Sequence, residues 1–150
     1  MMSSFVKIYI HYAFSTKNRE HFIVPELENR LWAYMGGVAK RNNLTAIAIN
    51  GTEDHAHVLL SLPSTITIAH AIQLVKGASS NWVHKTFPEY QDFEWQKGYG
   101  AFSISHYDLE KTINYIKNQK KRHQTQDYKS EFLELLKEHD IDYDERYIWD

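Results

Sequence analysis

Two histidines one residue apart, His55-Ala56-His57, and a tyrosine four residues before a glutamine, Tyr115 and Gln119, are the residues here best suited to chemistry. The first pair stands in Asp54-His55-Ala56-His57-Val58-Leu59-Leu60 and the second in Asn114-Tyr115-Ile116-Lys117-Asn118-Gln119. A strand alternates its faces, so His55 and His57 point to one side. A helix stacks i on i+4, so Tyr115 and Gln119 share a side one turn apart. Neutral imidazole is a good ligand for a divalent ion, and two histidines leave positions for a third ligand and for phosphate oxygens. Gln119 supplies a neutral amide oxygen for the third. A phenol with a pKa of about 10 is a poor nucleophile alone. A cation on a scissile phosphate, with Lys or Arg nearby, makes its attack feasible. If the two surfaces meet, they hold the parts of a metal-assisted phosphoryl transfer through tyrosine.

The elements that must position these residues are legible. Phe5 to Phe14 alternates, with Val6, Ile8, Ile10, Tyr12 and Phe14 on one side and Lys7, Tyr9 and His11 on the other, which predicts a half-buried strand. Glu26 to Asn42 reads as a helix opening after Pro25. Thr45–Ile49 and His55–Leu62 read as an antiparallel hairpin, with Asn50-Gly51 as its turn and Pro63 as its stop. Thr67 to about Phe87 reads as a second helix, weakened in its middle by Gly77-Ala78-Ser79-Ser80. Tyr99–Ser105 is a last strand. Ser105-x-x-Asp108 resembles a capping box opening a third helix to about His123, and Asp127–His139 is a fourth.

The order is β-α-β-β-α-β with two appended helices. That predicts an α+β, ferredoxin-like fold: a four-stranded antiparallel sheet with two helices on one face. Ala56, Val58, Leu60 and Leu62 suit those helices, which puts both imidazoles on the opposite, open face, free for a ligand or a partner subunit. On the third helix Leu109, Ile113 and Ile116 form one apolar stripe, and Tyr115 lies roughly 125° from its centre. Gln119, Lys111 and Arg122 lie near it, so the phenol belongs to the polar, basic side. Trp82, Trp95, Tyr99 and Phe102 read as core rather than as platforms for bases. Histidines other than the pair read as surface or edge residues, with His11 and Lys7 bordering the open face.

Composition sets bounds. The 150 residues fit one domain, 1–150, and the absence of cysteine excludes disulfides and thiolate metal sites. No apolar run approaches the roughly 20 residues of a membrane span. Met1-Met2-Ser3-Ser4 leads into a strand pattern without a signal-peptide core, which fits a cytoplasmic protein. The net charge of −2 divides unevenly, −6 from Asp127 to Asp150 and therefore +4 before it. The densest basic run, Lys117, Lys120, Lys121, Arg122 and His123, surrounds Gln119, and Lys17 and Arg19 follow the first strand. Such runs are commonly solvated helix faces. Beside the tyrosine they suit phosphate and DNA binding.

These stretches, with Phe14-Ser15-Thr16-Lys17, Lys76-Gly77-Ala78-Ser79-Ser80, Trp95-Gln96-Lys97-Gly98-Tyr99-Gly100-Ala101-Phe102-Ser103 and Asp144-Glu145-Arg146-Tyr147-Ile148-Trp149-Asp150, resemble the single-tyrosine HUH transposases of IS200-like insertion sequences. Ala56 departs from the pattern, where a larger apolar residue is usual. The resemblance implies Mg²⁺ or Mn²⁺ held by His55, His57 and Gln119, with Tyr115 as nucleophile. It implies cleavage of single-stranded DNA at hairpins marking the ends of a mobile element, leaving a 5′-phosphotyrosine and a free 3′-hydroxyl. It also implies a homodimer whose tyrosine helix can complete the partner's site in trans. The fourth helix carries Phe132, Leu135 and Leu136 with no evident home on a small sheet, and packing on a partner subunit is the expectation. Three other functions compete: a hairpin nickase that no longer moves an element, a hairpin-binding module without catalysis, and a small metal hydrolase using water.

Overall fold

The computed structural model describes residues 3–149; Met1, Met2 and Asp150, which the sequence motifs include, lie outside the described residues. Strand β1 (Ile8–Ser15) leads through a 3-10 turn at Lys17–Arg19 into helix α1 (Pro25–Arg41). Strands β2 (Thr45–Thr52) and β3 (His55–Leu62) form a hairpin, followed by α2 (Ile68–Thr86) and β4 (Gly100–Ile104). Helices α3 (Leu109–Lys117), α4 (Gln119–Arg122) and α5 (Tyr128–Glu138) complete the chain. The sheet order is β2-β3-β1-β4 with each neighbouring pair antiparallel, the ferredoxin-like arrangement expected from the sequence.

Local signals set the ends of these elements. Pro25 occupies the first turn of α1, Glu26 and Glu28 complement its N-terminus, and Lys40 and Arg41 its C-terminus. The Thr67 hydroxyl caps α2 by accepting from the His70 amide, and Asp127 caps α5 by accepting from the Ser130 amide. The glycine-serine stretch does not interrupt α2. It docks the β4 approach instead: Trp95 Nε1 donates to Ser79 Oγ at 3.0 Å, and Lys76 Nζ donates to the carbonyls of Gln96 and Gly98.

Two sequence expectations need correction. The hairpin turns at Glu53-Asp54, and Asn50-Gly51 lies within β2. Gly51 is required there for close approach, because a Cβ would stand 2.1 Å from the His55 carbonyl oxygen. The third helix does not run unbroken to His123. It breaks at Asn118, and Ser105 Oγ donates to the Asp108 carboxylate rather than capping a backbone amide.

The largest correction concerns the second face of the sheet. Helices α1 and α2 cover one face over a core that includes Tyr12, Phe14, Leu31, Val58, Leu60 and Ile72. The other face is not open. Helix α3 packs Ile116 against Tyr9 and Leu59, with Leu109 and Ile113 beside them. Helix α5 lays Tyr128, Phe132, Leu135 and Leu136 over Ala13 and Phe102. The fourth helix therefore finds an apolar home on its own sheet. Gly100 makes room for it, since a Cβ there would lie 2.7 Å from Phe132 Cε1. Trp95 and Phe102 are core as expected, Trp82 is half-buried against Tyr34, and Tyr99 lies at the rim. Among the described residues no helix is long and apolar enough to cross a membrane.

Candidate active site

Register brings the residues of β1 and β3 side by side under the C-terminal helices. In β3, His55 and His57 point away from α1 and α2, and both are wholly buried beneath α3, α4 and α5. In β1, His11 faces the same way, and its Nε2 lies 2.8 Å from His57 Nδ1. His11 is buried, not a residue bordering an open face, and Lys7 lies outside the strand.

The tyrosine helix closes over this row. Asn50 in β2 donates its Nδ2 to the carbonyls of Ile116 at 2.9 Å and Lys117 at 3.2 Å, satisfying acceptors that the end of α3 leaves free. Lys120 pairs with Glu28 of α1. With α3 held in this way, Gln119 is buried with its Oε1 2.8 Å from His55 Nε2. The Tyr115 ring lies 5.6 Å from that of His57 and 5.9 Å from that of His11. All four residues singled out from the sequence thus meet within one protomer.

At their centre is a residue the sequence reading missed. Glu131 of α5 is 1 % exposed. Its Oε1 accepts from His123 Nε2 at 2.8 Å and His57 Nε2 at 3.1 Å and stands 3.5 Å from His55 Nε2. Its Oε2 accepts from the Tyr115 hydroxyl and from Gln119 Nε2 at 2.8 Å. A signal for it did exist. Glu131 falls on the same helical side as Tyr128 and Leu135, a carboxylate on an apolar stripe. His123, read as part of a basic run, is the other missed member; its ring lies 4.4 Å from that of His55, which also stacks on Tyr128 at 4.6 Å.

Burial and neighbours set the charges. Burial, reinforced by His57, lowers the His11 imidazole well below its usual value, and burial likewise lowers His57. Both are therefore neutral at pH 7, as ligands or their supports must be. Burial alone would raise the Glu131 carboxyl, but His57, His123 and His55 outweigh it and hold the group far below the carboxylate range. Burial would lower His123, but Glu131 reverses that and raises it. The Tyr115 phenol is pushed up, first by burial and then by the Glu131 charge, against the pull of Arg122.

The donor set fits a divalent cation. Asp54 Oδ1 accepts from His55 Nδ1 at 2.9 Å, so a neutral His55 turns the lone pair of Nε2 toward Gln119. Gln119 donates its Nε2 to Glu131, which fixes its Oε1 toward that lone pair. Two acceptors 2.8 Å apart repel unless a proton or a cation lies between them. The ligand atoms of His55, His57 and Glu131 all lie within 4.8 Å of one another. The separations of 2.8, 3.1 and 3.5 Å bracket the ~3.0 Å between adjacent ligands of an octahedral Mg²⁺ or Mn²⁺.

Solvent reaches the site past Tyr115. A cleft of about 800 Å³ is lined by His11, Tyr115, Arg122 and Glu131, with Asp108, Glu134 and Glu138 and also Lys111 and Lys137 on its wall. A second cleft of about 580 Å³ lies on the other side of Tyr115 and Arg122, lined by Lys111, Lys121, Asn114, Asn118 and Gln126 and by no carboxylate. The Arg122 guanidinium sits 4.6 Å from the Tyr115 ring centroid. Of the other predicted DNA-binding cations, Lys117 is exposed, Lys17 pairs with Glu94, and Arg19 lies over the Trp149 ring.

Residues 4–119 match the family model described as "Transposase IS200 like". Among solved structures, a candidate transposase from Deinococcus radiodurans R1 is similar at a TM-score of 0.64 and 24% identity, over 79% of this chain and 95% of that one. A REP-associated tyrosine transposase bound to a REP hairpin is similar at a TM-score of 0.60 and 15% identity, over 82% of this chain and 73% of that one. At these identities both likenesses speak to the fold. No curated protein matches the sequence.

Proposed function

This chain belongs to the IS200-like transposase family, and on that premise we propose that it cuts and rejoins single-stranded DNA with Tyr115 as nucleophile at a divalent-metal site of the HUH type. The observation that carries this reading is the convergence of Tyr115, His55, His57 and Gln119 around one buried point. His55, His57 and Gln119 would hold Mg²⁺ or Mn²⁺, which supplies charge neutralisation at the scissile phosphate.

The remaining work falls to the chain's own groups. The Tyr115 oxygen bonds to phosphorus as the bond from phosphorus to the 3′ oxygen breaks. The phenolic proton is lost and the departing 3′ oxygen gains one. The products are a 5′-phosphotyrosine and a free 3′-hydroxyl, and attack by a 3′-hydroxyl reverses the step to rejoin strands without nucleotide hydrolysis. Arg122 orients the phenol ring and offers a second positive charge to the phosphate. Lys111 and Arg122 line both clefts, but the one that adds Lys121 and three amides and has no carboxylate suits the approaching strand better than the one walled by Asp108, Glu134 and Glu138. The solved relative holding a REP hairpin makes a DNA hairpin the first substrate to try.

The test is incubation of the chain with single-stranded hairpin DNA from the regions flanking its gene, with Mg²⁺ or Mn²⁺. A denaturation-resistant protein–DNA adduct is expected. Tyr115→Phe abolishes the adduct and retains DNA binding; His57→Ala loses the response to metal. An adduct formed by Tyr115→Phe places the nucleophile elsewhere. Matching hairpins on both sides of the gene separate a mobile element from a hairpin nickase that no longer moves one.

A further inference from the structure

Glu131 lies beyond residue 119, where the family match ends, yet it touches every functional group of the site. A carboxylate buried on the apolar stripe of α5, beside Phe132 and Leu135, is costly unless it is fully partnered. Beyond the 2.8 Å ion pair with His123 Nε2, its partners are the groups of the site itself. One oxygen faces the Nε2 atoms of His57 and His55 at 3.1 and 3.5 Å, and the other holds the Tyr115 hydroxyl together with Gln119.

Two imidazoles and an amide are all neutral donors. Mg²⁺ and Mn²⁺ are hard cations that favour carboxylate oxygen, so a site built from the three neutral groups alone is weak. Glu131 is the anionic oxygen within reach of both histidines. The Tyr115 hydroxyl sits on its other oxygen, and a carboxylate that gives one oxygen to a cation is left a weaker acceptor at the second. Tyr115 lines both clefts, so a phenol let go by Glu131 has solvent and substrate space on either side.

We propose that Glu131 is a ligand shared between nucleophile and metal: it holds Tyr115 when no cation is present, and on cation binding it becomes a further ligand and releases the phenol. The proposal rests on the metal-site reading given under Proposed function. It makes α5, a helix outside the family match, the element that couples cation entry to freeing of the nucleophile.

Titration calorimetry of the full chain with MnCl₂, without DNA, tests this. Wild type binds one Mn²⁺. Glu131→Gln, which keeps the shape and removes the charge, weakens binding at least tenfold. Tyr115→Phe removes only the competing hydroxyl and tightens binding about threefold or more. The near-ultraviolet tyrosine signal of the wild type changes on Mn²⁺ addition, and that change is absent in Tyr115→Phe. If wild type binds Mn²⁺ and both variants bind with wild-type affinity, Glu131 is only an anchor for α5; the proposal is overturned while the metal site stands. If wild type binds no Mn²⁺, the metal site and the proposal fall together. Should Glu131→Gln fail to fold by circular dichroism, Tyr115→Phe decides alone: unchanged or weaker binding overturns the proposal.

Discussion

His11 Nε2 and His57 Nδ1 lie 2.8 Å apart across neighbouring strands, both buried, one ring from β1 and one from β3. The contact can run in either direction, since each imidazole can give or take the single hydrogen between them. When His57 turns its Nε2 lone pair toward a cation, its Nδ1–H donates to His11. His11 thus stands to His57 as Asp54 stands to His55, the outer partner that fixes the ring and its tautomer. His11→Phe keeps the ring volume and removes the acceptor. Its Mn²⁺ affinity by calorimetry should fall by roughly 10–100-fold, the usual cost of losing such a partner. Wild-type affinity in His11→Phe would show that the contact serves only packing.

Acid should unfold the chain in two stages. His11 and His57 are held below the usual 6.5 by burial, so the unfolded chain takes up protons first as the pH falls. Their contribution to stability is fully present above about pH 6.5 and is lost as the pH drops toward the folded values, at about 1.4 kcal/mol per pH unit for each proton. Glu131, held below the carboxylate range, adds a further loss below about pH 4.5. His123, raised by Glu131, acts oppositely and offsets part of the first stage. Around His11 the charged neighbours are His57, Glu131 and His139. Urea midpoints of metal-free protein should drop from pH 7.5 to pH 5.5, and less steeply in His11→Gln. A midpoint that holds or rises over that range contradicts the burial argument.

Asn50→Ala should loosen the tyrosine helix without unfolding the sheet. It removes two donors from the carbonyls of Ile116 and Lys117. Water can reach part of this site, so the global cost is about 1 kcal/mol. Amide hydrogen exchange should speed up in residues 113–117 and leave β1 and β3 unaffected. Uniform acceleration across the sheet would mean that Asn50 supports the whole fold.

Gly51→Ala should be severe for so small a change. The added Cβ would lie 2.1 Å from the His55 carbonyl and 2.9 Å from Ala56 Cα, both backbone atoms that cannot rotate away. The strand carrying both histidines must shift, at a cost of at least ~2 kcal/mol. Urea unfolding measures that loss, and Mn²⁺ affinity should fall with it. A variant of unchanged stability would show that the hairpin yields freely there.

Phe132→Ala tests where α5 belongs. Phe132 packs with Phe102 and Tyr128 over the sheet of its own protomer. Its loss should cost about 3–5 kcal/mol, and the stability of the wild type should not depend on protein concentration in the range of the assay. A wild-type midpoint that rises with concentration would return α5 to a partner subunit.

The sequence by itself determined the strands and helices, the antiparallel order and the pairing of His55 with His57 and of Tyr115 with Gln119. Each rests on a short period, two along a strand and 3.6 along a helix, that local residues display. It also pointed to the family, because motifs such as Asp54–Pro63 and Trp95–Ser103 are contiguous. What it could not show was long-range contact. The turn at Glu53-Asp54 was hidden because Gly51 is demanded by the His55 backbone it meets and not by its own conformation. Glu131 was hidden because a lone acidic residue in an amphipathic helix looks solvated until its partners, 8 to 76 residues away in sequence, are placed around it. Only the tertiary structure decided that α3, α4 and α5 fold over the second face of the sheet. That closure turns a row of strand histidines into a buried site with one carboxylate at its centre. The physical reason is that burial and the electrostatics it strengthens belong to surfaces brought together, and one-dimensional spacing carries no record of which surfaces those are.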